Sequence, residues 1–437
     1  MECRIVTNIA IPTQHAPSFI TPSDAAHPAA VRVAIAYAFC TPAIAMQLPK
    51  VGGVGAADLL MPFGVLLLLV FPIVRKLQVA HIGLACFLGA AAVSLLAIPD
   101  GKMMVDCGIR WVRLIGIVVP FFFGLVIRPN KQQIRNILLG YGLGGFVAVA
   151  IGIFLYVFQI ETREGQQRLW MDGGSMIRAG GLIGNSGAFG HMTATWCIIS
   201  CLSLALMTDW KYRVPCIGIV LATAGYATIG ASSRAAMLHL MVGTMLTAVI
   251  VPSTLKFRRQ IAMLGIAGVL GLGVMMTGSK VLKKNAGSNG SSNATQAQLA
   301  RFVPGMGGGS TEFTSNRMGN WPEFFAMIAE SPIIGTGYKT GVRMHEESPD
   351  NSFLSVFLET GVLGLTCMSL FVIGTLHRLL TLYCAGDNLA TIMLVVCGGQ
   401  LINCATSDIY TFWITMPVVY MLLGLAIEFR PREETVQ

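Results

Sequence analysis

The stretch "DNSFLSVFLETGVLGLTCMSLFVIGTLHR", residues 350–378, decides the fold class. From Ser352 to Leu376 it holds one charged residue, Glu359. A run so long and apolar meets the length a helix needs to cross about 30 Å of hydrocarbon. Pro349 disfavours helix at Ser348, and Asp350, Asn351 and Ser352 then offer N-cap candidates for a helix beginning near residue 352. Glu359 lies two turns below Asn351, on the face shared with Ser352 and Ser355. A buried acid there needs a partner or a proton. Just upstream stand His345, Glu346 and Glu347, so ionisable groups crowd the mouth of a hydrophobic helix.

Similar runs fill the chain. Candidate spans fall at 31–48, 57–74, 80–98, 110–127, 137–158, 190–207, 214–231, 235–252, 260–278, 352–376, 388–405 and 410–428, with the weakest breaks at 99–109 and 231–235. Only 12% of residues are charged and 54% are hydrophobic, whereas a soluble domain carries about a quarter charged residues. The expected class is therefore an all-α polytopic membrane protein of about 12 transmembrane helices. Residues 1–30 are polar and proline-rich, with no apolar core of the kind a cleavable signal peptide has, so the first span is expected to act as the insertion signal. The cysteines lie mostly within apolar runs and no pair has metal-ligand spacing, which reads as small buried hydrophobes. Neither a metal nor a cofactor is expected. The net charge of +9 reports loop topology in such a protein, and no nucleic-acid module is present to use it.

Basic residues in short loops orient the chain. Loops after even-numbered spans carry Arg75 and Lys76, Arg128, Lys131 and Arg135, Lys211 and Arg213, and Lys256, Arg258 and Arg259. The opposite short loops are poorer, with Lys50 and Arg234. The first set is therefore expected to be cytoplasmic, with both termini: a tail at 1–30 and another at 429–437. Spans 1–9 occupy 31–278 and spans 10–12 occupy 352–428. Two long loops face outward, 159–189 and 279–351. Their arginines and lysines exceed what insertion requires, and an anionic partner on that side accounts for them. Residues 285–312 are Ser/Gly/Asn-rich and read as a flexible excursion. Residues 317–334 suggest a short amphipathic helix with Trp321, Phe324, Phe325 and Ile328 on one side, lying in the membrane interface or packed on the loop's own core.

Four local features bring chemistry to that outer side. In "RAGGLIGNSGAFGH", 178–191, Arg178 precedes a glycine-rich turn and then a helix. Glycines let backbone N–H groups approach an anion, and a helix N-terminus favours negative charge. The alternative is an ordinary loop with a surface arginine. In "GASSRAAM", 230–237, Arg234 sits between two closely joined spans, either as an interface anchor or as the second half of an anion clamp. In "SPIIGTGYKTGVRMHEESPDNSF", 331–353, Asp350 is either a cap or a base at the water–lipid boundary, and His345 is a competing base because it titrates near neutrality. Glu359 is the fourth, as interhelical glue or as a catalytic acid. Asn185, Asn351 and Arg343 complete the candidate substrate-binding set.

The order of these pieces resembles the O-antigen ligase / Wzy-type polymerase superfamily of bacterial envelope glycosyltransferases. The strings that carry the resemblance are "RAGGLIGN" (178–185), "SSRAAM" (232–237), "GTGY" (335–338) and "DNSFLSVFLETGVLGL" (350–365). It implies a GT-C-like fold and a glycan donor on undecaprenyl pyrophosphate at the outer face of the inner membrane. It also implies an acceptor glycan and an inverting, metal-independent transfer, with Arg178 and Arg234 holding the pyrophosphate. Where ligases of the family place a histidine before asparagine, this chain has Asp350 before Asn351. That departure points away from a lipid A-core ligase and toward a polymerase of exopolysaccharide, capsule or O-antigen, which would also engage membrane lipid and a chain-length regulator. A secondary transporter would show internal repeats and mid-membrane polar groups. A lipid-sugar flippase would place cationic groups deeper and on both sides.

Overall fold

The computed structural model describes residues 28–44, 64–65, 68–71, 73, 75–127, 129–162, 168–171, 174–207, 212–231, 233–250, 321–340, 349, 351–405, 410 and 415–428. In chain order the helices are α1 (Pro28–Ile44), α2 (Val79–Ser94), α3 (Gly101–Val118), α4 (Phe123–Val126), α5 (Lys131–Val157), α6 (Ser186–Met207), α7 (Arg213–Ala231), α8 (Arg234–Ile250), α9 (Trp321–Glu330), α10 (Ser352–Cys384), α11 (Asn388–Cys404) and α12 (Met416–Glu428). Among the described residues, six helical stretches are long and apolar enough to cross a membrane: Val79–Ala97, Gly101–Val126, Lys131–Val157, Ser186–Met207, Arg213–Ala231 and Ser352–Cys384. Shorter apolar helices occupy Ala235–Thr247, α11 and α12. The protein is a helical, multi-pass membrane protein. The expected span 260–278, most of 57–74, the flexible part 285–312 and the terminal tails lie outside the described residues.

Hydrophobicity marks where a helix is apolar, but caps decide where it begins. The span expected from 110 begins at Gly101, because the Asp100 carboxylate accepts from Lys102 N at 3.1 Å and Met103 N at 3.2 Å. That shrinks the expected break at 99–109 to a few residues. The span expected from 137 begins at Lys131, where Asn130 and Gln133 form a reciprocal capping box. The all-α expectation needs one correction: β1 (Arg168–Met171) pairs antiparallel with β2 (Gly174–Ile177) inside the 159–189 loop. The expected single apolar side of the 317–334 helix also fails at one position. Phe324 and Ile328 of α9 bury against Leu354 and Leu358, while Phe325 points away and is exposed.

The helices approach closely where small residues face them. Gly83 of α2 abuts the Phe371 backbone of α10, and Gly144 of α5 abuts the Phe39 backbone of α1. Outward positions such as Leu143, Val249 and Ile373 are apolar and exposed, as a lipid-facing surface requires.

Long-range hydrogen bonds define two ends. At one, Gln78 of the α2 start reaches Glu428 at the end of α12 (2.6 Å), Asn388 of the α11 start reaches Leu206 O at the end of α6 (3.0 Å), and Tyr383 reaches Ile250 O (2.8 Å). At the other meet the starts of α6, α8 and α10 and the ends of α2, α7 and α11.

Candidate functional site

Arg178 follows β2 directly and is half-buried. The next residue, Ala179, donates its N–H to Gly230 O at 2.8 Å. That bond fastens the glycine-rich turn to the last turn of α7, four residues before Arg234. Thr162 Oγ1 donates to Gly181 O at 2.8 Å and holds the turn from the other side. Asn185 Oδ1 accepts from Ala188 N at 3.0 Å, so this asparagine caps α6 while staying exposed. A Cβ on Gly190 would come within 3.0–3.4 Å of the side chains of Ala231, Ser233 and Ala236. The first turns of α6 and α8 are therefore in direct contact. Arg234 opens α8 and is described by its backbone. The two arginine positions share one end of the bundle.

The start of α10 joins the same end. Asn351 Oδ1 accepts from Phe353 N and Leu354 N, both at 3.0 Å, and its Nδ2 donates to Ala405 O at 3.1 Å. Among the N-cap candidates the fold uses Asn351, which leaves Asp350 beside the cap rather than at it. Asp350, His345 and Arg343 lie outside the described residues.

Two turns further in, α10 breaks. Gly361 has φ 63° and ψ −166°, a conformation essentially confined to glycine, and a Cβ there would overlap the Ile333 carbonyl. In lipid the backbone groups freed by such a break must be satisfied within the protein. The loop 332–337 does this reciprocally. Val362 N donates to Pro332 O (2.8 Å) and Leu363 N to Ile333 O (3.2 Å), while Thr336 N donates to Leu358 O (2.9 Å) and Gly337 N to Glu359 O (3.1 Å). The loop is held in turn by α2, for Tyr338 N donates to Ser94 Oγ at 3.0 Å.

Glu359 sits at this break with 2% of its surface exposed. Lys339 Nζ lies 3.9 Å from its Oε1, and Tyr410 Oη donates to its Oε2 at 3.4 Å. The ammonium also lies 5.2 Å from the centre of the Tyr410 ring and 5.8 Å from that of Tyr338, within cation–π range. Lys339 has φ 62°, uncommon for a side-chain-bearing residue. A buried acid needs compensation, and Glu359 receives it from a cation, a phenol and the loop that closes the break. Ser352 and Ser355 are buried on the same face, as the helical spacing requires.

A second polar group had no counterpart in the sequence reading. His191 of α6, His239 of α8, and Gln400 and Asn403 of α11 are all at least nine-tenths buried. Asn403 Nδ2 and His191 Nδ1 are 2.6 Å apart, Gln400 Nε2 donates to Thr195 Oγ1 at 3.0 Å, and the two imidazoles lie 5.3 Å centre to centre. His191 and His239 each stand five residues after the first residue of their helices. A histidine pattern was available as the signal, but two histidines 48 positions apart show no kinship until two helices pack.

Residues 219–369 match the family model described as O-antigen ligase. Over that segment, about a third of its length, the chain is similar to the O-antigen ligase / Wzy-type superfamily. The matched segment includes Arg234, Lys339, Asn351, the α10 break and Glu359, whereas Arg178 and Asn185 precede it. No curated protein matches the chain. The end of the bundle just described gathers the Arg178 turn, the Asn351 helix cap and the buried Lys339–Glu359 pair.

Proposed function

We propose that this protein polymerises a bacterial surface polysaccharide, an exopolysaccharide, capsule or O-antigen. It transfers glycan from an undecaprenyl-pyrophosphate donor to an acceptor sugar hydroxyl at the periplasmic face of the inner membrane. The observation that carries the proposal is the meeting at one end of the Arg178 turn, the start of α8 at Arg234 and the capped start of α10. The lipid tail of the donor explains why this end belongs to a membrane bundle.

The acceptor oxygen attacks the anomeric carbon, with inversion, as the bond from that carbon to the pyrophosphate oxygen breaks. The electron pair passes to the pyrophosphate. Arg178 and Arg234 face that growing charge, and fixed cations aimed at developing charge are electrostatic catalysts that need no metal. Guanidinium suits the task because it stays charged and matches phosphate geometry. The acceptor proton goes to Asp350, with His345 as the competing base; such a base contributes about 10²–10⁴-fold. Arg343 supplies further positive charge, and Asn185 and Asn351 hold the turn and cap in place. Glu359, tied to Lys339, supports the site from below.

Transfer to lipid A-core is the second reading, favoured by the family description itself. Incubation of the purified protein with lipid-linked repeat units, followed by product sizing, separates the two. A ladder supports polymerisation, which a chain-length regulator would then tune. Transfer only to added lipid A-core makes the protein a ligase, and lipid movement across vesicles without transfer makes it a flippase. A reporter fused after Lys76 is expected to give a cytoplasmic signal and one near Gly290 a periplasmic signal; reversal of the two overturns the orientation.

A further inference from the structure

The His191 cluster lies between the two halves of the proposed site. On one side, His191 neighbours Gly190, which touches Ser233 and Ala236 of α8, and His239 stands just over one turn below Arg234. On the other, Asn403 stands in the last turn of α11, two residues before Ala405, whose carbonyl accepts from the Asn351 amide. A run of contacts thus links the starts of α6 and α8, through His191 and Asn403, to the cap of α10. Its packing leaves little slack: a Cβ on Gly399 would lie 2.6 Å from His239 Cδ2, and Gln400 to Thr195 forms a second rung. Polar groups buried between membrane helices are costly unless hydrogen-bonded, and where they occur they tend to mark functional positions. Ordinary apolar packing would join α6 to α11 equally well.

We infer that His191, with Asn403 and His239, is a positioning residue for the transfer: the cluster sets the separation between the donor-gripping arginines and the acceptor base. The inference rests on the glycosyl-transfer proposal. The cluster touches neither substrate. Its effect is on geometry, and misplacement of reacting groups by about 1 Å costs up to roughly 100-fold in rate.

The test uses the full chain in lipid vesicles with lipid-linked repeat units as donor and an acceptor oligosaccharide, with rates normalised to folded protein. Asn403→Leu and His191→Phe are each expected to lower kcat by about 10–100-fold with donor KM within about threefold. The double variant is expected to be no worse than either single, because both remove one link. His191→Asn keeps an amide where Nδ1 stood and is expected to retain most of the activity, whereas His191→Gln, whose amide stands where Nε2 was, is not. That pair of similar side chains decides the matter even where Asn403→Leu fails to fold. Unchanged kcat in the folded single variants, additive losses in the double, or equal activity of His191→Asn and His191→Gln overturns the inference. Absence of transfer by the unaltered protein, with intact folding, sinks the glycosyl-transfer proposal and this inference with it.

Discussion

Two buried polar groups stand in the same bundle and are held by opposite means. Glu359 meets a cation, Lys339, and a phenol at the place where α10 is broken and a loop repairs it. His191 meets a neutral amide between three unbroken helix segments. In the first the main chain itself is bent to bring charge together, because a buried carboxylate without a counter-charge costs several kcal/mol. In the second the backbone stays regular, since neutral groups need hydrogen-bond partners rather than a counter-charge. The charged group is therefore a point of stability, and the neutral one a point of geometry.

Four groups of substitutions break or sharpen that contrast. The largest effect is expected outside both groups, at the arginines. Arg178→Ala and Arg234→Ala are each expected to abolish polymer, a loss of at least about 100-fold, at unchanged membrane levels; normal polymer from either removes that arginine from the mechanism. Next comes the base. Asp350→Asn is expected to lower transfer by about 10²–10⁴-fold and His345→Ala far less, and the reverse ranking in a rate assay moves the base role to His345. Glu359→Ala strands a buried ammonium and is expected to cost about 3–5 kcal/mol of stability, with most of it regained in Glu359→Ala/Lys339→Met. Thermal melting in detergent checks this, and a double variant no more stable than the single would show that the loss does not come from the stranded ammonium. The smallest effect is expected from Thr195→Val, about 0.6 kcal/mol by the same melting experiment. A loss as large as that at Glu359 would erase the distinction between the two groups.

Much of the site was legible because its signals are local. An asparagine before a long apolar run and an arginine at a glycine-rich turn each carry a capping or charge requirement readable within a few residues, whereas the break at Gly361 was not read from the sequence. The sequence placed Glu359 on the face of Ser352 and Ser355, and all three are buried there. It did not show Lys339 as the partner, because that pairing depends on a loop folding back into a helix break. It did not show the hairpin at 168–177 either, whose strands are too short to give a period. The choice of Asn351 over Asp350 as the cap was equally out of reach, for both residue types cap well and the hydrogen bond that the Asn351 amide donates to Ala405 O settles it.

By itself the sequence determined that this chain lives in a membrane, where its apolar helices run and on which residue types its chemistry draws, since transfer to lipid and helix capping are properties of consecutive residues. Only the tertiary structure decided which of those residues share an end, which acid gains a cation and which histidines meet. Those outcomes depend on contacts between helices far apart in the chain, and no property of neighbouring residues encodes them.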